Sequence, residues 1–255
     1  MEVTVLQFNT LADTVSNSFP LCHPEYLSWS YRKKLILEKL LSNNIDVICL
    51  QEVDHYDELK DEMSKHGYHG IFKKKNGENK DGSVIFFSSR LSINRVQSFE
   101  YDSDMSQVGI IAEFSFSDHD PHTHTFIVAT THFKAKPEFE ETRKRMANIL
   151  LDKINEINID FLPVIIALDM NAEPTSESYA ILSSSYKSVF EPKFTTFKIR
   201  QHKVCRTIDY ILYCRNVDVI SKNNLPTEEE IGENGLPNQY HPSDHLDLMA
   251  TFRIF

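Results

Sequence analysis

Eight residues of this sequence carry the chemistry its apolar stretches cannot: Asn9, Glu52, His132, Asp169, Asn171, Asp209, Asp244 and His245. Each stands at or beside the end of a hydrophobic run, Asn9 after "VLQF", Glu52 after "ICLQ", His132 closing "IVATTH", and Asp169 and Asn171 in "IIALDMNAEP". "RTIDYILY" carries Asp209 within the run, and Asp244 and His245 precede "LDLMATF". Carboxylates without a companion cysteine suit a hard cation such as Mg²⁺, which takes oxygen ligands and keeps several waters. A carboxylate such as Asp169 offers a base for water, while Asn171 and His245 offer donors for charge developing on a phosphoryl group. That combination performs metal-assisted phosphoester hydrolysis. Lys134 and Lys136 follow His132 in "THFKAK", and Lys198 and Arg200 fall in "TTFKIR". All four are cations for phosphate oxygens, and the guanidinium fork can take two at once.

Singly, each residue has a plainer reading. Strand-end Asp and Asn often cap turns, a lone histidine is often structural, and two lysines can be a solvated edge. Asp209 is odder, because a carboxylate between Ile208 and Tyr210 must find a partner if it is buried. The joint pattern weighs more. Ligands of open α/β sheets bind beyond strand ends, and that is where most of this set would converge.

The elements that must position them are strand-rich. The runs "VTVLQF", "IDVICL", "SVIFF", "GIIAEFSF", "TFIVATTHF", "LPVIIALDM", "TIDYILYC" and "LMATFRIF" are β-branched or aromatic, and several are apolar throughout. Such runs suit strands covered on both faces. Between them, "SWSYRKKLILEKLLSNN" places Leu37, Leu40 and Leu41 at helical spacing, with Ser28 or Ser30 to cap it and Asn43 or Asn44 to end it. A second helix fits "EFEETRKRMANILLDKINEI", with Met146, Ile149, Leu150 and Ile154 on one face. The acidic "TEEEIGENG" reads as a solvated loop or short helix. Strands outnumber helices, so mixed sheets with helices packed outside fit better than strict βα alternation.

The 255 residues contain no linker-like stretch, which predicts one domain over 1–255. A formal charge of −10 argues against a broad electrostatic grip on a polynucleotide but leaves room for a small basic pocket. Cys22, Cys49, Cys205 and Cys214 are scattered without C-x-x-C spacing, so neither a disulfide framework nor a zinc site is expected. Met1 runs directly into a strand pattern and no apolar run is long enough to span a bilayer. A cytoplasmic protein with no membrane contact and no stable protein partner is expected.

The ordered set Asn9, "QEV", "TH", "LDMNAEP", "IDY" and "SDH" resembles the endonuclease/exonuclease/phosphatase superfamily, from about residue 5 to the C-terminus. Within it, "LSWSYRKKLILEKLL", "ICLQEVDHY", "THFKAK", "TTFKIR" and "TEEEIGENGLPNQYHPSDHL" are most similar to the nocturnin branch, related to carbon-catabolite-repression-type deadenylases. The resemblance implies a four-layer α/β/β/α sandwich of two mixed sheets flanked by helices, with the site in a cleft at the sheet edge. By motif, Glu52 would bind Mg²⁺ or Mn²⁺ with Asn9 beside it and Asp244 near the metal. Asp169 would orient or deprotonate water, and Asn171 would hold the phosphate. His245 would contact the scissile phosphate while Asp209 fixes its ring, and His132 would donate to a phosphate oxygen. Lys134, Lys136, Lys198 and Arg200 would bind substrate. The implied reaction removes the 2′-phosphate of NADP⁺ or NADPH; the alternative is 3′ exoribonuclease action on poly(A) or 2′,5′-linked oligoadenylate. The chain departs from the family pattern with Leu168 and Met170 flanking Asp169, "TTF" for "TTW", and Lys136 for an arginine.

Overall fold

The apolar runs fold as strands, with six further strands in stretches of mixed polarity. The computed structural model describes residues 1–118, 124–214 and 216–255. The chain opens with β1 (Glu2–Asn9), β2 (Val47–Val53), β3 (Tyr68–Lys74) and β4 (Gly82–Ser88). β5 (Leu91–Glu100), β6 (Val108–Phe116), β7 (Phe126–His132) and β8 (Val164–Asp169) follow. The remainder forms β9 (Lys187–Ser188), β10 (Thr196–Ile199), β11 (Lys203–Arg206), β12 (Asp209–Tyr213), β13 (Val217–Lys222) and β14 (Leu248–Ile254). Helices are α1 (Pro24–Leu27), α2 (Trp29–Leu41), α3 (Tyr56–Ser64), α4 (Glu140–Ile157), α5 (Glu177–Ser183) and α6 (Glu228–Ile231).

One sheet runs β13-β14-β1-β2-β4-β3 and the other β5-β6-β7-β8-β12-β9, while β10 and β11 pair only with each other. Both large sheets are mixed: β1 pairs parallel with β2 and β7 with β8, and the remaining pairings are antiparallel. The sheets pack face to face through Val3, Val5, Val47, Cys49, Leu248 and Phe252 from one and Phe114, Phe126, Val128, Ile165, Ala167 and Ile211 from the other. Outside the first sheet, Ile36 and Leu40 of α2 and Leu59 and Met63 of α3 cover Leu6, Phe8, Ile48 and Leu50. Outside the second, Met146, Leu150 and Ile154 of α4 and Leu182 of α5 cover Ile127, Ile166, Leu168 and Tyr210. The result is the four-layer α/β/β/α sandwich.

Side chains alternate along a strand, so the residues of this inter-sheet face can be followed along each strand. In β1 the inward series is Val3, Val5, then Gln7 and Asn9; in β8 it is Ile165, Ala167, then Asp169. In β7 it is Phe126, Val128, then Thr130 and His132, and β12 contributes Asp209 before Ile211. Each inward stripe turns polar at one end, and pairing brings those ends together. Asn9 lies opposite Gln51, His132 opposite Asp169, and Asp169 opposite Asp209. The site is the polar continuation of the core.

Helix α2 ends at Ser42 rather than at Asn43 or Asn44, and its buried stripe is Arg32, Ile36 and Leu40, with Leu37 and Leu41 only partly covered. In α4 the buried stripe is Arg143, Met146, Ala147, Leu150, Ile154 and Ile157, and Ile149 is partly covered. "TEEEI" forms α6 under a reciprocal Thr227–Glu230 capping box.

Candidate active site

Alternation in β2 would send Glu52 to the helix side. It does not reach there: Glu52 has φ 57°, and the β2–β4 register shifts between Leu50 and Val53. One extra residue in β2 turns the carboxylate back toward the sheet edge. Asn9 Nδ2 donates to Glu52 Oε1 at 3.1 Å and the Ala12 amide donates to Oε2 at 3.0 Å. The same Asn9 Nδ2 donates to Asp169 Oδ2 at 2.8 Å, so one amide ties two carboxylates. Leu11, Lys136 and Asn171 also have positive φ. Non-glycine residues in this region cost about 1–3 kcal/mol each, and such strain gathers where surrounding structure fixes a functional side chain.

Asp169 is buried, receives the Asn171 amide at 2.9 Å, and faces Asp209 across the strand pair. Burial and the Asp209 charge push its carboxyl up to about 7, against the pull of His245 and the Asn9 bond. Asp209 accepts from Thr195 Oγ1 at 2.7 Å and Gln7 Nε2 at 3.1 Å, and its Oδ2 lies 2.9 Å from His245 Nδ1. Burial disfavours a charged His245, but Asp209, Asp244 and Asp169 outweigh it and push the ring up to about 10. At neutral pH His245 is therefore an imidazolium that donates Nδ1–H to Asp209 and has Nε2–H left for another partner.

His132 is neutral. Burial lowers its pKa to about 3, and the Lys75 charge acts in the same direction. Asn171 Nδ2 donates to the Phe133 carbonyl at 3.1 Å and lies 2.8 Å from His132 Nε2. With Nδ2 donating to both, Nε2 accepts and the ring proton sits on Nδ1, a buried nitrogen without a hydrogen-bond partner. Burial alone would raise the Glu52 carboxyl; the positive potential of its neighbours, Lys75 among them, and the Ala12 amide lower it. Since the His132 ring is uncharged at neutral pH, Lys75, the amide and the charged His245 are the causes that matter there.

Asp244 is buried, and Lys198 Nζ donates to its Oδ2 at 2.7 Å. Burial would raise this carboxyl, but Lys198 and His245 hold it below the usual carboxylate range. Its Oδ1 is buried without a hydrogen-bond partner. An orphaned carboxylate oxygen together with Glu52 oxygens that accept only neutral donors fits a hard divalent cation with oxygen ligands. Among the described residues, Asp169, Asp209 and His245 bring candidate ligand atoms within 4.8 Å of one another. These atoms are already spent on each other and on Asn9, Gln7 and Thr195, which makes the trio a hydrogen-bonded relay rather than the metal cage.

A cleft of about 410 Å³ opens over Glu52 and His132, lined also by Ala12, Thr14, Lys75, Gln107, Lys134 and Lys136. The carbonyls of Lys134 and Lys136 accept from Arg143 Nη1 at 2.9 and 2.7 Å, which holds the lysine-bearing turn against α4. Lys198 and Arg200 do not line this cleft. Arg200 lies over the Phe19 ring, 4.8 Å from its centroid. Sequence reasoning missed Lys75, which pairs with Asp81 at 2.5 Å, and the buried chain from Gln7 to Gln51 (2.8 Å) to Thr130 (3.0 Å). A glutamine near the end of each buried run, "VLQF" and "ICLQEV", was the available signal; Lys75 in "KKK" had none.

A family model described as "Endonuclease/Exonuclease/phosphatase family" matches residues 6–245. Nocturnin of Rattus norvegicus is 35% identical over 279 residues, covering 98% of this chain and 65% of that protein. Carbon catabolite repressor protein 4 homolog 4 of Arabidopsis thaliana is 28% identical, covering 98% and 77%. The chain thus spans about two-thirds of the length of the nocturnins it matches. The solved catalytic domain of human nocturnin, with a bound sulfate anion, superposes with a TM-score of 0.82 at 29% identity, covering all of this chain and 95% of that one. ANGEL2, a 2′,3′-cyclic phosphatase, superposes at 0.91 with 24% identity and shares the fold, covering 100% and 96%. On the match over residues 6–245, the chain belongs to the endonuclease/exonuclease/phosphatase family.

Proposed function

We propose that this chain is a metal-dependent phosphoesterase that removes the 2′-phosphate of NADP⁺ or NADPH. The observation carrying this reading is that one cleft holds Glu52 together with Lys75, Lys134 and Lys136. A dinucleotide has both a terminal phosphate for the carboxylate-rich end and a pyrophosphate for the lysines. The likeness to nocturnin supports it, as does the sulfate bound by the human nocturnin catalytic domain, since sulfate is a close mimic of a phosphate dianion. The shared inter-sheet core supports treating residues 1–255 as one catalytic domain.

Glu52 would hold the cation, with Asn9 fixing the carboxylate and Asp244 Oδ1 as a further oxygen in reach of the site. Mg²⁺, or Mn²⁺ in its place, would supply neutralisation of the phosphate charge. Asp169, raised to about 7 and oriented by Asn9 and the Asn171 amide, takes a proton from the attacking water. His245 uses its free Nε2–H to donate to a phosphate oxygen as negative charge grows, and Asp209 keeps it protonated and aimed. Asn171 and His132 brace each other, and with Asn171 Nδ2 donating to both His132 Nε2 and the Phe133 carbonyl they shape the site rather than donate to the phosphate as the motifs implied.

The second reading is a 3′ exoribonuclease or phosphodiesterase acting on poly(A) or 2′,5′-linked oligoadenylate, favoured by the similarity to the Arabidopsis carbon catabolite repressor homologues. A panel at equal enzyme concentration with Mg²⁺ separates the two: NADP⁺, NADPH, a 3′-polyadenylated RNA and 2′,5′-triadenylate. Inorganic phosphate should appear from the first two. Shortened oligoadenylate with no phosphate from NADP(H) would replace the first reading with the second.

A further inference from the structure

The hairpin of β10 and β11 belongs to neither large sheet, yet it is tied to the site at several points. Thr196 bridges His245, the Phe197 amide donates to the Asp244 carbonyl at 3.0 Å, and Leu246 N donates to the Thr195 carbonyl at 2.7 Å. Thr196 and Lys198 share one face of β10, and both reach Asp244. Thr196 Oγ1 donates to its carbonyl at 2.8 Å, and Lys198 Nζ donates to its carboxylate at 2.7 Å. The pair is largely buried, with side-chain exposures of 22% for Lys198 and 3% for Asp244. The hairpin therefore delivers one ammonium group to one catalytic-site carboxylate.

We propose that Lys198 occupies the place a second divalent cation would need, so that the site takes one metal ion. The inference rests on the metal-dependent reading above and extends it to stoichiometry. Two-metal sites hold their ions about 3.5–4 Å apart and need carboxylates to share between them. The carboxylates here are differently committed. Asp209 is spent on His245, Thr195 and Gln7, and Asp169 on Asn9 and the Asn171 amide. Glu52 accepts only from the neutral Asn9 and Ala12 donors and is open to a cation. Asp244 has its unpartnered Oδ1 for the first ion, so Oδ2 is the oxygen left for a second, and the Lys198 ammonium at 2.7 Å already holds it. An ammonium has three donors and no lone pair, so it satisfies Oδ2 while excluding a metal from that oxygen. Water activation then falls to Asp169 alone.

The test counts Mn²⁺ bound to the full chain, from the loss of the free-ion electron paramagnetic resonance signal, with no substrate present. Wild type and Lys198→Arg, which keeps the charge, should each bind one ion. Lys198→Met removes the charge at nearly constant length and should bind two. Circular dichroism reports whether each variant is folded; should the methionine variant fail to fold, Lys198→Gln takes its place in the comparison. Two ions in the wild type, or one in a folded uncharged variant, would overturn the inference and leave the metal-dependent reading intact. No Mn²⁺ bound by any of the proteins would overturn both.

Discussion

Asp209 and His245 form a unit at the scale of single residues. The carboxylate makes four side-chain contacts to three residues, Thr195, Gln7 and His245, and it is the first of the three carboxylates that keep the ring charged. Asp209→Ala and His245→Ala should each lower kcat severely, and the double variant should be little worse than the worse single one, because residues acting as a unit are non-additive. Steady-state rates for the three variants check this. Additive losses would mean that Asp209 serves only the buried backbone around Thr195. Glu52→Gln keeps the shape and the Asn9 contact but removes the charge that faces the cleft. Turnover should fall by orders of magnitude, with unchanged circular dichroism and weakened Mn²⁺ binding; full activity in a chelated preparation would sink the metal-dependent reading. At this scale the sequence was informative, since Asp209 in "TIDYILY" and Glu52 after "ICLQ" were out of place in apolar runs. Partner identity was not legible: nothing local to Asp209 names Thr195 or Gln7, which arrive through a loop and through the other sheet.

Elements decide where those residues point, and here the sequence was less transparent. A period of two along β2 sends Gln51 inward and Glu52 outward; only the bulge reverses Glu52, and a bulge is set by pairing with β4. Gly82 is part of that device. It lies opposite Val53 on one side and Lys74 on the other, and a Cβ there would sit 2.3 Å from the Lys73 carbonyl oxygen. Gly82→Ala should therefore cost about 1–3 kcal/mol, the range for overpacking a rigid site, and should weaken Mn²⁺ binding as the bulge relaxes. Urea denaturation and an Mn²⁺ titration measure the two effects; lost stability with unchanged ion affinity would show that the bulge is held without Gly82. Arg32 carries the same lesson for α2. It opens the buried stripe that Ile36 and Leu40 continue, because its guanidinium donates to the carbonyls of Thr10, Leu11 and Pro242 at 2.8–3.3 Å. Helical periodicity located Leu40 of the stripe but also chose the partly covered Leu37 and Leu41, missed Ile36, and could not anticipate an arginine holding two site loops.

At the scale of the whole molecule, the net charge of −10 and the cationic cleft have to be weighed together. The eight apolar runs made mixed sheets with outer helices legible, whereas the division into two facing sheets came from the family resemblance of the motifs at their ends. Which cations share a cavity was not legible, since that depends on loops far apart in sequence. Lys134 and Lys136 line the cleft with Glu52, whereas Arg200 stands outside it over Phe19. A dinucleotide seated on Glu52 reaches the lysines first, and it meets Arg200 only if its far end extends beyond the cleft. Lys136→Ala should thus raise KM for NADP⁺ by about ten- to a hundredfold, the equivalent of losing one charge-assisted contact of about 1.5–3 kcal/mol. The same variant should change KM for adenosine 2′-monophosphate little, because that ester lacks the pyrophosphate. Arg200→Ala should raise KM for NADP⁺ too, by less than Lys136→Ala does, and should also spare the monophosphate. Steady-state kinetics on both substrates distinguish the outcomes. Equal losses on the two substrates would place the lysine at the scissile phosphate, and an Arg200 effect larger than that of Lys136 would place the dinucleotide toward Phe19 rather than within the cleft.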